Sequence, residues 1–102
     1  MLNKLENIVN EWAEEKGIFA KATPVTQMLK TMEEVTELNH AVTDNDKNEI
    51  KDGIGDVIVT LAIQAKMHGF DLQECLEYVL YNNDSPLLKR TGKMVDGLFV
   101  KD

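Results

Sequence analysis

Met28-Leu29-Lys30-Thr31-Met32-Glu33-Glu34-Val35-Thr36-Glu37-Leu38-Asn39-His40-Ala41-Val42 reads as one amphipathic helix. Met28, Leu29, Met32, Val35, Leu38 and Val42 recur at the three- and four-residue intervals that line one helix face. Lys30, Glu33, Glu34 and Glu37 occupy the other. Thr23 is placed to cap the N-terminus, and Pro24 suits the first turn, where its missing N–H leaves no bond unmade. Thr43-Asp44-Asn45-Asp46 then makes a turn, and Asp46 caps a further helix that runs to about His68 and stops before Gly69.

Working outward, Leu2, Leu5, Ile8, Val9 and Trp12 keep helical spacing, with Asn3 as a cap and Gly17 as a stop. Asp71 caps a last helix from Leu72 to about Tyr81, whose apolar face is Leu72, Leu76, Val79 and Leu80. Asn82-Asn83-Asp84-Ser85-Pro86 breaks it, and Leu87 to Thr91 adds one turn. Met94-Val95-Asp96-Gly97-Leu98-Phe99-Val100 flanks Asp-Gly with apolar residues, the pattern of a two-residue hairpin. The expected class is all-α: a four-helix bundle with a short C-terminal β-hairpin, forming a single domain over residues 1–102.

With 43% apolar and 28% charged residues, the chain reads as globular rather than disordered. A domain of this size buries only about two-thirds of its unfolded surface, so a second copy would cover leftover apolar faces. The net charge is −7. Glu33, Glu34, Glu37, Glu49, Asp52 and Asp56 account for all but one unit of it, and no basic stripe for nucleic acid is present. Cys75 is the single cysteine, so no intrachain disulfide forms; its place beside Leu72 and Leu76 predicts a buried or half-buried thiol. Neither a signal pattern nor an apolar run of spanning length occurs, and a cytoplasmic protein without a membrane partner is expected.

Those six acids stack on helix faces: Glu33-Glu34-x-x-Glu37 on one helix, Glu49-x-x-Asp52-x-x-x-Asp56 on the next. Each like-charge pair three or four residues apart costs an isolated helix about 0.2–0.5 kcal/mol. A cation shared between two antiparallel helices offsets that cost, and oxygen-only donors suit Mg²⁺ or Mn²⁺ with positions left open for phosphate. Further along the stripe of Asp52 and Asp56 come Val59 and Ile63, so Asp56 lies at the edge of an apolar segment. Gly53 and Gly55 weaken that helix by up to about 1 kcal/mol each, which fits close approach of a neighbour or ligand. His40 and His68 lie far apart and read as packing or surface residues, not zinc ligands.

Lys89, Arg90 and Lys93 cluster beyond the last helix, near the amides of Asn82 and Asn83, where they can neutralise a phosphate chain or simply balance an acidic protein. Lys30 shares a stripe with Glu34 and Glu37, so it either meets phosphate or pairs with Glu34. Gln27, one turn earlier, is a candidate reader of a base edge. Trp12 reads as core, with an aromatic wall for a base as the alternative.

Taken together, Glu33-Glu34-x-x-Glu37 and Asp52-Gly53-Ile54-Gly55-Asp56-Val57-Ile58-Val59 resemble the MazG-like all-α nucleoside-triphosphate pyrophosphohydrolases. Gln27-x-x-Lys30 before the acids, Lys89-Arg90-x-Gly92-Lys93-Met94 and Phe99-Val100-Lys101 extend the resemblance over roughly residues 12–101. It implies cleavage of a nucleoside triphosphate between the α and β phosphates, with Mg²⁺ (or Mn²⁺) held by Glu34, Glu37 and Asp56. Where the family has Glu three residues before the last Asp, this chain has Gly53. Asp52 or Glu49 would then supply the fourth carboxylate, and Glu33, or whichever of Glu49 and Asp52 is not a ligand, would orient or deprotonate the attacking water. The resemblance also implies a homodimer, or a dimer of dimers. Two other readings keep parts of this inventory: a relative specialised for dUTP or phosphoribosyl-ATP, and a catalytically silent helical dimer that binds metal or nucleotide as an interaction module.

Overall fold

The computed structural model describes residues 2–102. Its elements are α1 (Leu2–Glu15), α2 (Ile18–Lys21), α3 (Pro24–Thr43), α4 (Lys47–Met67), α5 (Leu72–Glu77), β1 (Gly92–Val95) and β2 (Leu98–Lys101). A π-helical turn over Tyr78–Asn82 extends α5, and a 3₁₀ turn covers Leu87–Lys89. The all-α class with a small hairpin is therefore observed. The extra element is α2, four residues that resume helix immediately after Gly17. The chain divides into two compact units, one ending at Leu72 and the other spanning Gln73–Asp102.

Local chemistry sets the ends of the two long helices. Thr26 N–H donates to Thr23 Oγ1 at 3.1 Å and Thr23 N–H donates to Thr26 Oγ1 at 2.9 Å, a reciprocal cap with Pro24 in the first turn. Asp46 Oδ1 accepts from Glu49 N–H at 3.2 Å and starts α4. At its far end Phe70 N–H reaches Ala65 O at 2.9 Å and Gly69 N–H reaches Lys66 O at 3.1 Å, which is the Schellman stop.

In the first unit α3 and α4 lie antiparallel, as three pairings show: Gln27 Nε2 to Thr60 O at 3.2 Å, Gln64 Nε2 to Pro24 O at 3.0 Å, and Gly53 against Leu38. α1 packs on α4. The buried carboxylate of Glu6 accepts from Leu72 N–H at 2.9 Å, tying α1 to the start of α5.

The seams between these helices are made of small and polar residues. Buried apolar residues are Ala13, Ala41, Ala62, Ile63 and Ala65; buried polar ones are Glu6, Gln27, Thr31, Glu34 and Thr60. The stripes expected to form the core point elsewhere. Leu5, Ile8 and Trp12 of α1 and Leu29, Met32 and Val35 of α3 are all exposed; on α4, where no such stripe is expected, Ile54, Ile58 and Leu61 are exposed as well. Periodicity placed the α1 and α3 stripes on common faces, but among the described residues no element of the first unit covers those faces. Cys75 is exposed, against expectation. Its stripe neighbour Leu76 is itself 57% exposed, so the six-residue α5 offers the thiol no apolar cover.

In the second unit β1 and β2 pair antiparallel in the register Gly92↔Lys101 to Val95↔Leu98. Asp96 and Gly97 form the two-residue turn with φ of 51° and 82°, as the Asp-Gly signal predicts. Among the described residues no helix is long and apolar enough to cross a membrane.

Candidate metal centre

One turn and a half of α3 brings three carboxylates together. A ligand oxygen from each of Glu33, Glu34 and Glu37 lies within 4.8 Å of the others. Glu34 is 8% exposed, on the side of α3 that faces α4, while Glu33 and Glu37 reach solvent. Lys30 Nζ sits 3.3 Å from Glu33 Oε1 and 3.3 Å from Glu34 Oε1. These two carboxylates hold the Lys30 ammonium above its ordinary pKa, the hydrogen bond to Glu34 first, then the hydrogen bond and charge of Glu33.

Across the seam α4 presents Asp56, half-buried. Burial first, then the charges of Asp52 and Glu34, raise the Asp56 carboxyl above its usual range, and Lys30 opposes them. The charge of Glu34 does the most to raise Glu37, followed by desolvation and Glu33. Glu34 is close enough to share a side-chain hydrogen bond with either when a proton is present. Glu34 therefore acts on Glu37 along α3 and on Asp56 across the seam to α4, each at a cost in repulsion.

Asp52 and Glu49 separate on geometry. Asp52 is one helical turn before Asp56, about 6 Å along the axis, and acts on it directly. Glu49 lies about 10 Å along the axis from Asp56, exposed in the first turn of α4 where its N–H is capped by Asp46. Gly53 faces α3 itself. A Cβ built there would lie 3.3 Å from Leu38 Cα, 3.3 Å from Leu38 Cβ and 3.1 Å from Leu38 Cδ1. The position where the resemblance implies a carboxylate is therefore in close contact with Leu38.

A cavity of about 190 Å³ opens beside the acids, with Trp12, Ile18, Gln27, Val59 and Ile63 in its walls and Lys30, Glu34 and Asp56 at its rim. Trp12 is 46% exposed and so belongs to this wall rather than to a core. Gln27 is buried, and its amide nitrogen is spent on Thr60 O. Ile18 was hidden from periodicity because α2 is shorter than one hydrophobic repeat. A larger, open hollow of about 770 Å³, bounded by Asn10, Glu14, Phe19 and Lys66 among others, shares no residue with the acids. Its size does not make it the chemical centre.

Asn83, Lys89, Arg90 and Lys93 belong to the second unit. There Asn83 Oδ1 accepts from Ser85 N–H at 3.0 Å and Arg90 Nε donates to Ser85 O at 2.6 Å, while Lys89 and Lys93 are exposed. His68 Nε2 pairs with Gln64 Oε1 at 2.9 Å and stacks on Phe70; His40 is exposed. Neither imidazole joins the acids. The donor set is all oxygen and its charges repel one another, which fits a hard divalent cation.

An antiparallel helix pair that concentrates carboxylates from both arms beside a small cavity defines an all-α acidic-site scaffold. The sequence pattern of the MazG nucleotide pyrophosphohydrolase domain matches residues 22–81, spanning α3, α4 and α5, and the chain belongs to that family. It is 39% identical over 70 residues to an uncharacterized 18.2 kDa protein from the rep–hol intergenic region of Haemophilus phage HP1. That match covers 69% of this chain and 43% of the phage protein, so the chain spans less than half of its relative. No solved structure gives a significant match.

Proposed function

We propose that this protein is a Mg²⁺-dependent nucleoside triphosphate pyrophosphohydrolase that releases a nucleoside monophosphate and pyrophosphate and clears the nucleotide pool. The observation that carries this reading is the group of Glu33, Glu34 and Glu37, whose buried member Glu34 acts on Asp56, within the matched family segment. Glu34, Glu37 and Asp56 hold the metal, with Asp52 as the fourth carboxylate because it is the nearer of the two candidates on α4. Mg²⁺, or Mn²⁺, supplies neutralisation of phosphate oxygens and a lower pKa for the attacking water. Glu33, at the exposed edge of the group, accepts the proton from that water, and Glu49 is the reserve base. The cavity takes the base, with Trp12 as its aromatic wall and the amide oxygen of Gln27 as an acceptor.

A second copy of the chain belongs to this reading. The exposed apolar stripes of α1, α3 and α4 are the surface a second copy would cover.

The test is pyrophosphate release from a panel of ribo- and deoxynucleoside triphosphates, dUTP included, with Mg²⁺ and with Mn²⁺, beside Glu37→Gln. Turnover that needs metal and collapses in the variant is expected. One observation favours the silent binding module instead: the Leu38 contact removes the family ligand at Gly53. Metal and nucleotide that raise the melting temperature without any pyrophosphate release would establish that reading.

A further inference from the structure

Among the described residues Lys30 is the one cation in contact with the carboxylate group, and it stands where a divalent ion has to go. Its ammonium lies 3.3 Å from an oxygen of Glu33 and 3.3 Å from an oxygen of Glu34, two of the three residues whose oxygens converge within 4.8 Å. Mg²⁺ binds such oxygens at about 2.0–2.1 Å, and an ammonium cannot share the same oxygen with it without strong repulsion. The side chain of Lys30 is 52% exposed and that of Glu34 only 11%, so the lysine can leave while the glutamate stays. Lys30 also borders the cavity beside Asp56 and Trp12, one turn beyond Gln27. A four-carbon stem anchored there carries its charge from the carboxylates to a phosphate bound next to them.

Resting on the metal-site reading above, we infer that Lys30 is a built-in counter-ion that exchanges partners. It bridges Glu33 and Glu34 in the free protein, yields Glu34 to the divalent cation, and then pairs with the substrate phosphate chain. An ordinary surface ion pair and a dedicated phosphate lysine each account for half of this behaviour. Only exchange makes the two binding steps respond in opposite directions.

The experiment titrates Mn²⁺ alone by electron paramagnetic resonance, and then Mn²⁺-saturated protein with tripolyphosphate, a probe that carries no base. It compares wild type, Lys30→Met and Lys30→Arg, each first shown to keep the wild-type helical content. In Lys30→Met, Mn²⁺ binding tightens about two- to fivefold, the range of a partly exposed ion pair. Tripolyphosphate binding to the same variant weakens about tenfold or more, as for a lost charge-assisted bond. Lys30→Arg keeps tripolyphosphate within about threefold of wild type and does not tighten Mn²⁺, because its fork still competes for the carboxylates. Unchanged Mn²⁺ affinity in Lys30→Met overturns the exchange while leaving the metal site standing, and so does unchanged tripolyphosphate affinity. Wild type that binds no Mn²⁺ overturns the metal site itself and the exchange with it.

Discussion

Gly53 carries the sharpest consequence at the scale of single residues. Its hydrogen faces Leu38 Cα, so a side chain there has to part α3 from α4 before it can reach the acids. Gly53→Glu, which restores the family pattern, is therefore expected to destabilise the protein by about 1–3 kcal/mol and to leave Mn²⁺ affinity no better than wild type. Denaturant melts with a Mn²⁺ titration check both, and tighter binding at unchanged stability would show that position 53 points at the metal. Asp52→Asn weakens Mn²⁺ binding more than Glu49→Gln does. The pH response follows from the raised carboxyls of Glu37 and Asp56, which feel Glu33, Glu34 and Asp52 against Lys30 alone. A folded-state pKa above the unfolded value contributes stability that is complete below the unfolded value of about 4 and is lost as pH rises through the folded one. In chelator the protein should thus melt at a lower temperature at neutral pH than in mild acid. Glu37→Gln and Asp56→Asn should each flatten that slope, and wild-type slopes in both variants would refute the assignment. The acid group was legible because three- and four-residue spacing fixes a shared helix face. The burden on Gln27 was not, since the backbone carbonyl it meets lies 33 residues away.

At the scale of elements, the α3–α4 hairpin holds the site through polar bonds where a larger domain would use bulky side chains. Gln27 Nε2 to Thr60 O and the Gly53–Leu38 contact fix the two helices at opposite ends of the acid group. Gln27→Ala leaves Thr60 O without its cross-helix donor and opens a gap in the seam, a loss of about 1–3 kcal/mol read by thermal or urea melts. A change within about 0.5 kcal/mol would mean that the bond is dispensable. Both long helices, their Thr23 and Asp46 caps and the Asp96-Gly97 turn were readable, because each rests on contacts within a few residues. α2 was not, since four residues after Gly17 carry no period. Nor was the direction of the apolar stripes: Met32, Val35 and Ile58 share faces as their spacing requires, yet spacing does not say which chain covers them.

At the scale of the whole molecule, no large side chain is fully buried among the described residues, and the exposed apolar faces of α1, α3 and α4 are the support for the second copy proposed above. Sedimentation at micromolar concentration should give at least twice the 11.5 kDa chain mass. Ile58→Arg with Leu61→Arg should shift it toward one copy with loss of stability. A wild-type monomer would contradict the paired state. The proposed function takes its reaction class from the family and its means from the acid group, so the most direct test is to identify the products. A deoxynucleoside triphosphate incubated with the protein and Mg²⁺, followed by ³¹P nuclear magnetic resonance, should yield one nucleoside monophosphate and one pyrophosphate per turnover, with none formed in chelator. Nucleoside diphosphate with orthophosphate, or an unchanged triphosphate across the whole panel, would contradict the account.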